Sequence, residues 1–237
     1  MERIPFRIAL AFCLFFAGNG ISRGGIVYSA AGNFSATTNT TNSTWQYGTF
    51  NSPSSTSFLI NSNRGTTSDG LNWWLNSPLV ASPNIVYNPT SSPISQFTYT
   101  IQSGQLGLHP GALGEKAVIR FMAPTAGVYA LNASFVGVNS PTTSTDATIL
   151  KNGTSIFSSN ISYGVVTSNS QTVNLLAGDT IDFAIGYGSN QTYYGDMTGM
   201  TATLQAVPEP MTIVLFSLGI LLVVAIQYRR KHHVFAG

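Results

Sequence analysis

The chain has 237 residues, of which 43% are hydrophobic and only 8% are charged, with a formal net charge of +2. This length allows one domain of sandwich size together with targeting segments. The bases concentrate at the two ends, and residues 24–207 carry a net charge of −2. Nucleic-acid binding needs a basic surface that neutralises phosphates, so the composition of the middle of the chain excludes this function.

The first segment, residues 1–20, has the pattern of a signal peptide. Two arginines precede the apolar run of residues 8–17, and small residues follow it up to Gly20. The run is too short to span a bilayer. We expect cleavage near Gly20, with Ser29-Ala30-Ala31 as the alternative that places the cut as late as residue 31. A buried core helix is the less favoured interpretation, because no other segment reads as a helix that could pack against it.

The residues that usually carry catalysis are scarce. The only cysteine, Cys13, lies in the signal segment, so the mature chain has no disulfide, thiolate zinc site or thiol nucleophile. His109 is the only histidine before the tail, and its LHPG context favours a turn over a catalytic base. Asp179 and Asp182 are the nearest pair of carboxylates for glycoside hydrolysis, but Asp179 follows Ala-Gly, where Asp commonly bonds local backbone. The sequence therefore predicts a protein that is not an enzyme.

In the middle of the chain, apolar residues recur at every second position, which is typical of strands. Tyr129, Leu131, Ala133 and Phe135 share one face, and the segment 179–188 has the same pattern. Strands are predicted at 25–30, 45–50, 56–60, 71–75, 95–101, 116–121, 127–136, 146–153, 171–176, 179–188 and 198–205.

Short strands separated by Gly, Pro, Asn and Ser, and no amphipathic helix of ten residues, predict an all-β fold. We expect an antiparallel β-sandwich or jelly roll over residues 24–206, with turns such as Lys151–Thr154 of hairpin type. A domain of this size can bury a two-sheet core without disulfides.

The closing segment predicts a single transmembrane helix at about 211–228. Met211–Ile226 contains sixteen residues without a charge, which span about 24 Å as a helix. The basic cluster Arg229, Arg230 and Lys231 follows, and the positive-inside rule places it in the cytoplasm with the tail 232–237. A hairpin of the core is the less favoured interpretation.

Pro208-Glu209-Pro210 stands directly before this apolar run. The two prolines forbid regular structure, so the motif would be extended and accessible to another protein. Residues 207–231, with the PEP trio, the apolar helix and the basic cluster in this order, resemble the PEP-CTERM sorting signal of exopolysaccharide-producing Gram-negative bacteria. The resemblance implies recognition by exosortase, a transpeptidase-like membrane enzyme that processes the tail, with the protein held in the inner membrane until then.

The ectodomain resembles an uncharacterised group of PEP-CTERM proteins from bacteria such as planctomycetes. The stretches "LHPGALGEKAVIRFMAPTAGVY" and "AGDTIDFAIGYGSNQTYYGD" are among those that carry this resemblance. The group implies no activity.

Aromatic residues beside Gly, Asn and Ser indicate a candidate ligand-binding surface. Exposed rings could stack on a sugar face while amides bond its hydroxyls. Adjacent residues of a strand point to opposite faces, so we expect one of Trp73 and Trp74 to fill the core. The alternative is that most of these rings are core or rim residues. The candidates are Trp45, Trp73, Trp74, Tyr193 and Tyr194.

No cofactor is expected, although calcium is compatible with such a sandwich because loop oxygens suffice as ligands. Its candidate ligands are Asp146, Asp182 and Asp196, which lack the repeated spacing of a calcium loop.

The sequence as a whole predicts an exported cell-surface or matrix protein that is associated with exopolysaccharide. A secreted carbohydrate-active hydrolase and a permanently membrane-anchored protein remain as alternatives.

Overall fold

A computed structural model of the chain describes residues 25–77 and 81–207, together with positions 219, 221–223 and 226, which are helical. The predicted signal peptide, the Pro208-Glu209-Pro210 motif and the cluster Arg229, Arg230 and Lys231 lie outside the described residues, as does most of the predicted helix at 211–228. Within the described part of the chain, no helix has the length and hydrophobicity needed to cross a membrane.

The segment Ile26–Val207 forms one compact unit of antiparallel strands. The strands are β1 Val27–Ser29, β2 Trp45–Phe50, β3 Phe58–Ile60, β4 Asn63–Thr66, β5 Asn72–Leu75, β6 Asn84–Tyr87, β7 Ile94–Gln96, β8 Tyr99–Ile101, β9 Leu106–His109, β10 Lys116–Met122, β11 Gly127–Gly137, β12 Ser144–Lys151, β13 Thr154–Ser162, β14 Val166–Leu175, β15 Thr180–Gly186 and β16 Thr198–Val207.

Two sheets pack face to face around one core. The larger has the order β14-β11-β16-β9-β6-β5-β4, with β1 also paired to β16, and the smaller has the order β13-β12-β15-β10-β2-β3. The strands β9 to β16 alone form two four-stranded halves in jelly-roll order. The prediction of an all-β antiparallel sandwich is confirmed.

The core forms because alternating apolar residues of both sheets face each other. Tyr129, Leu131 and Phe135 of β11 are fully buried, as are Ile181 and Phe183 of β15. The outer face of the smaller sheet is covered in its centre, where Phe50, Val118, Leu150 and Ala184 form a separate apolar cluster against Phe58. Strands β10 and β15 are therefore buried on both faces.

The predicted single strand at 95–101 is wrong. The chain turns at Phe97 and Thr98 to form the two-stranded hairpin β7–β8, in which Ile94 pairs with Ile101. Phe97 adopts a φ of 49° and its side chain is 98% exposed. The hairpin packs Ile94 and Ile101 onto the outer face of the larger sheet, so an alternating stretch that reads as one strand serves as two short ones.

Antiparallel pairing gathers the connections between strands at the two opposite ends of the sandwich. The connections β9–β10, β11–β12, β13–β14 and β15–β16 meet at one end, here called the tyrosine end. Strand β16 begins there, with Thr198 opposite Gly137, and finishes at the other end with Val207 opposite Val128. At about 3.3 Å per residue, the two ends of β16 are about 30 Å apart.

Candidate functional site

The connection between β15 and β16, residues 187–197, carries the two tyrosines predicted as ligand-binding residues. Tyr194 is 71% exposed, and its ring centroid lies 4.3 Å from that of Tyr193. The His109 ring meets Tyr193 edge-on, with 6.0 Å between centroids. The structure therefore brings three rings together at the tyrosine end, with Tyr194 outermost.

His109 supports this cluster as a neutral ring. It is the last residue of β9, and its Nδ1 lies 2.8 Å from the carbonyl oxygen of Pro110, which requires the proton on Nδ1. Burial lowers the pKa of His109. The His109 ring is thus uncharged near neutral pH. The hydrogen bond to Pro110 agrees with the prediction that His109 leads into a turn.

The start of the tyrosine loop is fixed by Asp146 of β12. The backbone N–H of Gly188 donates to Asp146 Oδ1 at 3.0 Å, and Lys116 Nζ lies 3.0 Å from Asp146 Oδ2. Gly188 has a φ of 69°, and a Cβ at this position would collide with the carbonyl oxygen of Ser144. The loop therefore leaves β15 in a conformation that only glycine allows without strain.

The end of the loop is fixed by Asp196. The backbone N–H of Ser144 donates to Asp196 Oδ1 at 3.0 Å, whereas Asp196 Oδ2 is buried with no hydrogen-bond partner. Burial raises the pKa of this carboxyl to about 7; the Ser144 bond opposes the shift and the nearby Asp146 charge adds to it. Both ends of the loop are thus attached to the start of β12.

Such an arrangement can bind flat polar molecules. An exposed tyrosine has an apolar face and a polar edge, and pairing with a second ring holds it in place. Because the loop is anchored at both ends, little conformational entropy is lost when a ligand stacks on Tyr194.

The structure places the predicted tryptophans elsewhere. Trp45 and Trp74 are 4% and 2% exposed and belong to the main core, so neither presents an open ring face. Trp74 stacks on Tyr47 and donates its indole N–H to the Ser35 carbonyl at 2.8 Å. Trp73 points to the opposite face of β5, where it is half-buried over Gly65. Of the five candidates, only Tyr193 and Tyr194 come together on the surface.

The three predicted calcium ligands do not converge. Asp182 faces Leu150 and Asp146 faces Gly186 in the same strand pair, which separates them by about 13 Å along the strand. Asp182 is fully buried and forms a bidentate ion pair with Arg120, at 2.6 and 2.8 Å. Among residues 25–77 and 81–207 no group of three His, Cys, Asp or Glu side chains could hold a metal.

Asp179 and Asp182, the carboxylate pair considered for hydrolysis, have different structural roles. Asp179 accepts a bond from the Leu176 N–H at 2.8 Å and from the Asn152 amide at 3.0 Å, as expected of a turn residue. Asp182 lies in its buried ion pair with Arg120, away from solvent. This pair therefore offers no exposed acid beside an exposed nucleophile.

Sequence reasoning missed how His109, Lys116 and Ser144 support the tyrosine loop. These residues lie 52 to 84 positions before Tyr193 or Asp196 in the chain. They lie near the loop only because β9 ends, and β10 and β12 begin, at this end of the sandwich, and no local motif signals this.

No protein-family model matches the chain. No curated protein matches it either.

Solved structures show only a remote likeness to this chain. A family 35 carbohydrate-binding module from Clostridium thermocellum is 18% identical with a TM-score of 0.33, covering 54% of this chain and 100% of its own. A CBM51 from Clostridium perfringens GH95, solved with methyl-galactose, is 12% identical with a TM-score of 0.34, covering 62% and 95%. Pika GITRL is 16% identical with a TM-score of 0.27, covering 39% and 79%. At these values the likeness assigns no function.

Proposed function

We propose that this chain is an exported protein, sorted to the cell surface or extracellular matrix by its C-terminal segment, whose sandwich contacts exopolysaccharide through the tyrosine loop. The sorting part is supported by Pro208-Glu209-Pro210, the apolar run and the basic cluster, which resemble a PEP-CTERM signal processed by exosortase. The last strand, β16, ends at Val207, directly before this motif.

The observation that carries the binding part is the exposed Tyr193–Tyr194 pair on a loop fixed by Asp146 and Asp196. Val207, where the sorting segment begins, lies at the opposite end of the sandwich from this pair. A protein held through its C-terminal segment would therefore keep Tyr194 far from its point of attachment, which suits contact with a surrounding polysaccharide.

We propose a binding role without catalysis. The supporting observations are that Asp182 is held by Arg120, Asp179 bonds its own turn, and His109 bonds Pro110. Release of reducing sugar from a polysaccharide by the wild-type protein, lost in Asp182→Asn, would instead establish the hydrolase alternative.

We place the signal-peptide cut before β1. Strand β1 pairs with β16 through Val27 and Gln205, and Ala30 is fully buried. A cut as late as residue 31 would remove this strand from the sheet, so cleavage near Gly20 is the proposal.

The sorting proposal is tested by fractionation and intact mass of the native protein. We expect the wild type to lose the residues beyond about Pro210 and to leave the inner membrane, whereas Glu209→Ala stays there with its tail. Glu115→Ala, the same substitution inside the ectodomain, is the control and should be processed normally. If all three proteins kept their full-length tails in the inner membrane, the sorting proposal would be rejected in favour of a permanently membrane-anchored protein.

The binding proposal is tested on a glycan array and on purified exopolysaccharide. Tyr194→Ala should weaken binding about tenfold or more, because it removes the exposed stacking ring. Tyr163→Ala is the matched control, since Tyr163 is 46% exposed at the same end. Equal binding by the two variants would reject the tyrosine loop as the contact site.

A further inference from the structure

A groove of about 370 Å³ lies on the outer face of the smaller sheet, where β2, β3, β10 and β15 run side by side. This volume lies in the range of small-ligand sites, which is about 300–1,000 Å³. Its apolar walls include Phe58 and Met122, and its polar lining includes Thr41, Gln46 and Arg120. We call it the Arg120 groove.

Three polar side chains of neighbouring strands form the floor of this groove. Arg120 of β10 pairs with Asp182 of β15 on one side and with Gln46 of β2 on the other. They point away from the main core, because the alternate residues of β10, Ile119 and Phe121, belong to it. Directly opposite residues have Cβ atoms about 4.5–5.5 Å apart, so a cationic donor and a neutral amide lie next to each other.

The guanidinium of Arg120 is held in one orientation. Its Nε and Nη2 donate to the two carboxylate oxygens of Asp182 at 2.6 and 2.8 Å, and its Cζ lies 4.1 Å from the centroid of the Phe58 ring. Phe58 reaches this position over Gly48, where a Cβ would collide with the ring. Burial of an ion pair costs the desolvation of both charges, so stability alone is a poor explanation for it.

The outer end of this guanidinium is open to the groove. Of the five N–H groups of Arg120, the two on Nη1 and the second on Nη2 have no partner among the described residues. The side chain is 20% exposed, so a ligand can reach this end. Two parallel N–H groups of a guanidinium match the two oxygens of a carboxylate.

Gln46 supplies the second and independent observation, because it is 3% exposed and its acceptor is unused. Its Nε2 donates to the carbonyl oxygens of Thr41 and Ser43, both at 3.0 Å, which fixes the orientation of the amide. Its Oε1 accepts no hydrogen bond from the described residues, and unlike the unpaired Trp45 Nε1 it is not enclosed by protein. Buried polar side chains are nearly always paired, so an open acceptor in a groove indicates a ligand that donates to it.

The arrangement of charges favours an anionic ligand. A carboxylate at the open end of the fork would touch Arg120, whereas Asp182 lies on another edge of the same guanidinium. Because the Coulomb energy falls with distance, attraction to the nearer charge exceeds repulsion from Asp182. A carboxylate has no proton to donate to Gln46, so the ligand also needs a hydroxyl group.

We propose that the Arg120 groove binds a carboxylate with a hydroxyl group close to it, as in a uronic acid or a free hydroxy acid. The carboxylate accepts from Nη1 and Nη2 of Arg120, and the hydroxyl donates to Gln46 Oε1. Lys116, at the tyrosine end of β10, lies four residues before Arg120, which is about 13 Å along the strand. The groove is therefore separate from the tyrosine loop and does not depend on its proposed role.

The test is calorimetric titration of the full chain, purified in detergent, at pH 7 and low salt. We expect at least one of glucuronate, galacturonate and 3-hydroxybutyrate to bind. The methyl ester of the bound acid should bind about tenfold more weakly or worse, because it lacks the charge, and butyrate should bind about two- to tenfold more weakly than 3-hydroxybutyrate. Tighter binding of a uronate assigns a sugar as the ligand, and tighter binding of 3-hydroxybutyrate assigns a free hydroxy acid.

Thr41 allows a test that leaves the floor of the groove intact, because its side chain is exposed. Thr41→Lys should strengthen binding of the acid and Thr41→Glu should weaken it, each about two- to fivefold at low salt. Thr172→Lys and Thr172→Glu, on the exposed face of β14 in the larger sheet, are the matched controls and should bind like the wild type.

Two further variants test the fork and separate it from the tyrosine loop. Arg120→Lys keeps the positive charge without the fork and should weaken binding about tenfold or more, with thermal unfolding as the check on folding. Tyr194→Ala should leave the titration unchanged, so failure of the tyrosine-loop proposal would be seen separately. No binding of any acid, equal binding of the acid and its methyl ester, or equal binding by the two Thr41 variants would overturn the groove proposal.

Discussion

At the scale of single residues, Asp196 shows how burial with too few hydrogen-bond partners raises the pKa of a carboxyl group. One oxygen accepts the Ser144 N–H and the other accepts nothing, in a site with 0% exposure. The neighbouring Asp146 is already bonded to Lys116 and to Gly188 N–H. The neutral acid is therefore the form that fits the folded protein.

Asp196 should make stability depend on pH. Its pKa is about 7 in the folded chain and 3.8 as the ordinary value. The folded state then binds more protons between these values, so this contribution is complete below about pH 4 and is lost as pH rises through about 7. The free energy of unfolding should fall by up to about 1.4 kcal/mol per pH unit in that window.

The measurement is denaturant unfolding of wild type and Asp196→Asn from pH 4 to pH 8. The asparagine variant should lack this decline, and at pH 8 it should be at least as stable as the wild type. The difference between the two curves removes the opposing contribution of His109, whose folded pKa is lowered by burial. Parallel curves would show that Asp196 is ionised in the folded protein.

The tryptophans show how far residue-level prediction from sequence reaches. That Trp73 and Trp74 lie on opposite faces follows from their adjacency in a strand, and the structure agrees. The burial of Trp45 could not be predicted, because it depends on Phe121 and Phe183, which pack against it from distant strands.

At the scale of elements, the tyrosine loop depends on backbone geometry as much as on its side-chain anchors. Gly188 and Gly164 have nearly the same φ, 69° and 70°. A Cβ on Gly188 would collide with the Ser144 carbonyl oxygen, whereas a Cβ on Gly164 would meet nothing within 4 Å. Alanine substitutions at the two glycines therefore distinguish the effect of a positive φ, which both share, from the effect of a steric collision, which only Gly188→Ala has.

Gly188→Ala should displace the tyrosine loop, and Gly164→Ala should not. Both alanines carry the cost of a positive φ, about 1 kcal/mol. Only Gly188→Ala must also move Ser144 or the loop, so it should lose more stability and should weaken polysaccharide binding. Thermal unfolding and glycan binding of the two variants provide the comparison. Equal losses in both would mean that the loop accommodates the extra carbon.

The elements that could be predicted are those with a local signal. The turn at Asn152-Gly153 forms as expected, with positive φ at both residues, because Asn-Gly favours this hairpin turn. Strands β4, β6, β9 and β13 were not predicted; β9, Leu-Gly-Leu-His, is too short and too rich in glycine to give a periodic pattern. Its place in the sheet comes from pairing with β6 and β16.

At the scale of the whole molecule, the pairing of β16 on both sides should make it much more stable than an edge strand such as β4. It is bonded to β11 along its full length and to β9 and β1 on its other side, whereas β4 lies at the edge of the same sheet. Amide hydrogen exchange should therefore be slow in Met200–Leu204 and much faster in β4. Faster exchange in β16 than in β4 would contradict this topology.

The fold class was predictable from the whole sequence, but the position of the candidate site was not. Alternation and turn residues suffice for an antiparallel sandwich. The strand order that brings His109 to Tyr193 arises from pairings between segments far apart in the chain.

The course of β16 also determines how the protein would respond to pulling. The tyrosine loop is attached to the first residue of this strand, and the sorting segment is attached to its last residue. Tension between a bound polysaccharide and the cell would therefore run along a single strand. That strand is already extended, so its covalent backbone would carry the load and the hydrogen bonds to β11 would carry little of it. Force applied between the proposed polysaccharide contact and the proposed sorting segment would therefore leave the rest of the sandwich largely unloaded.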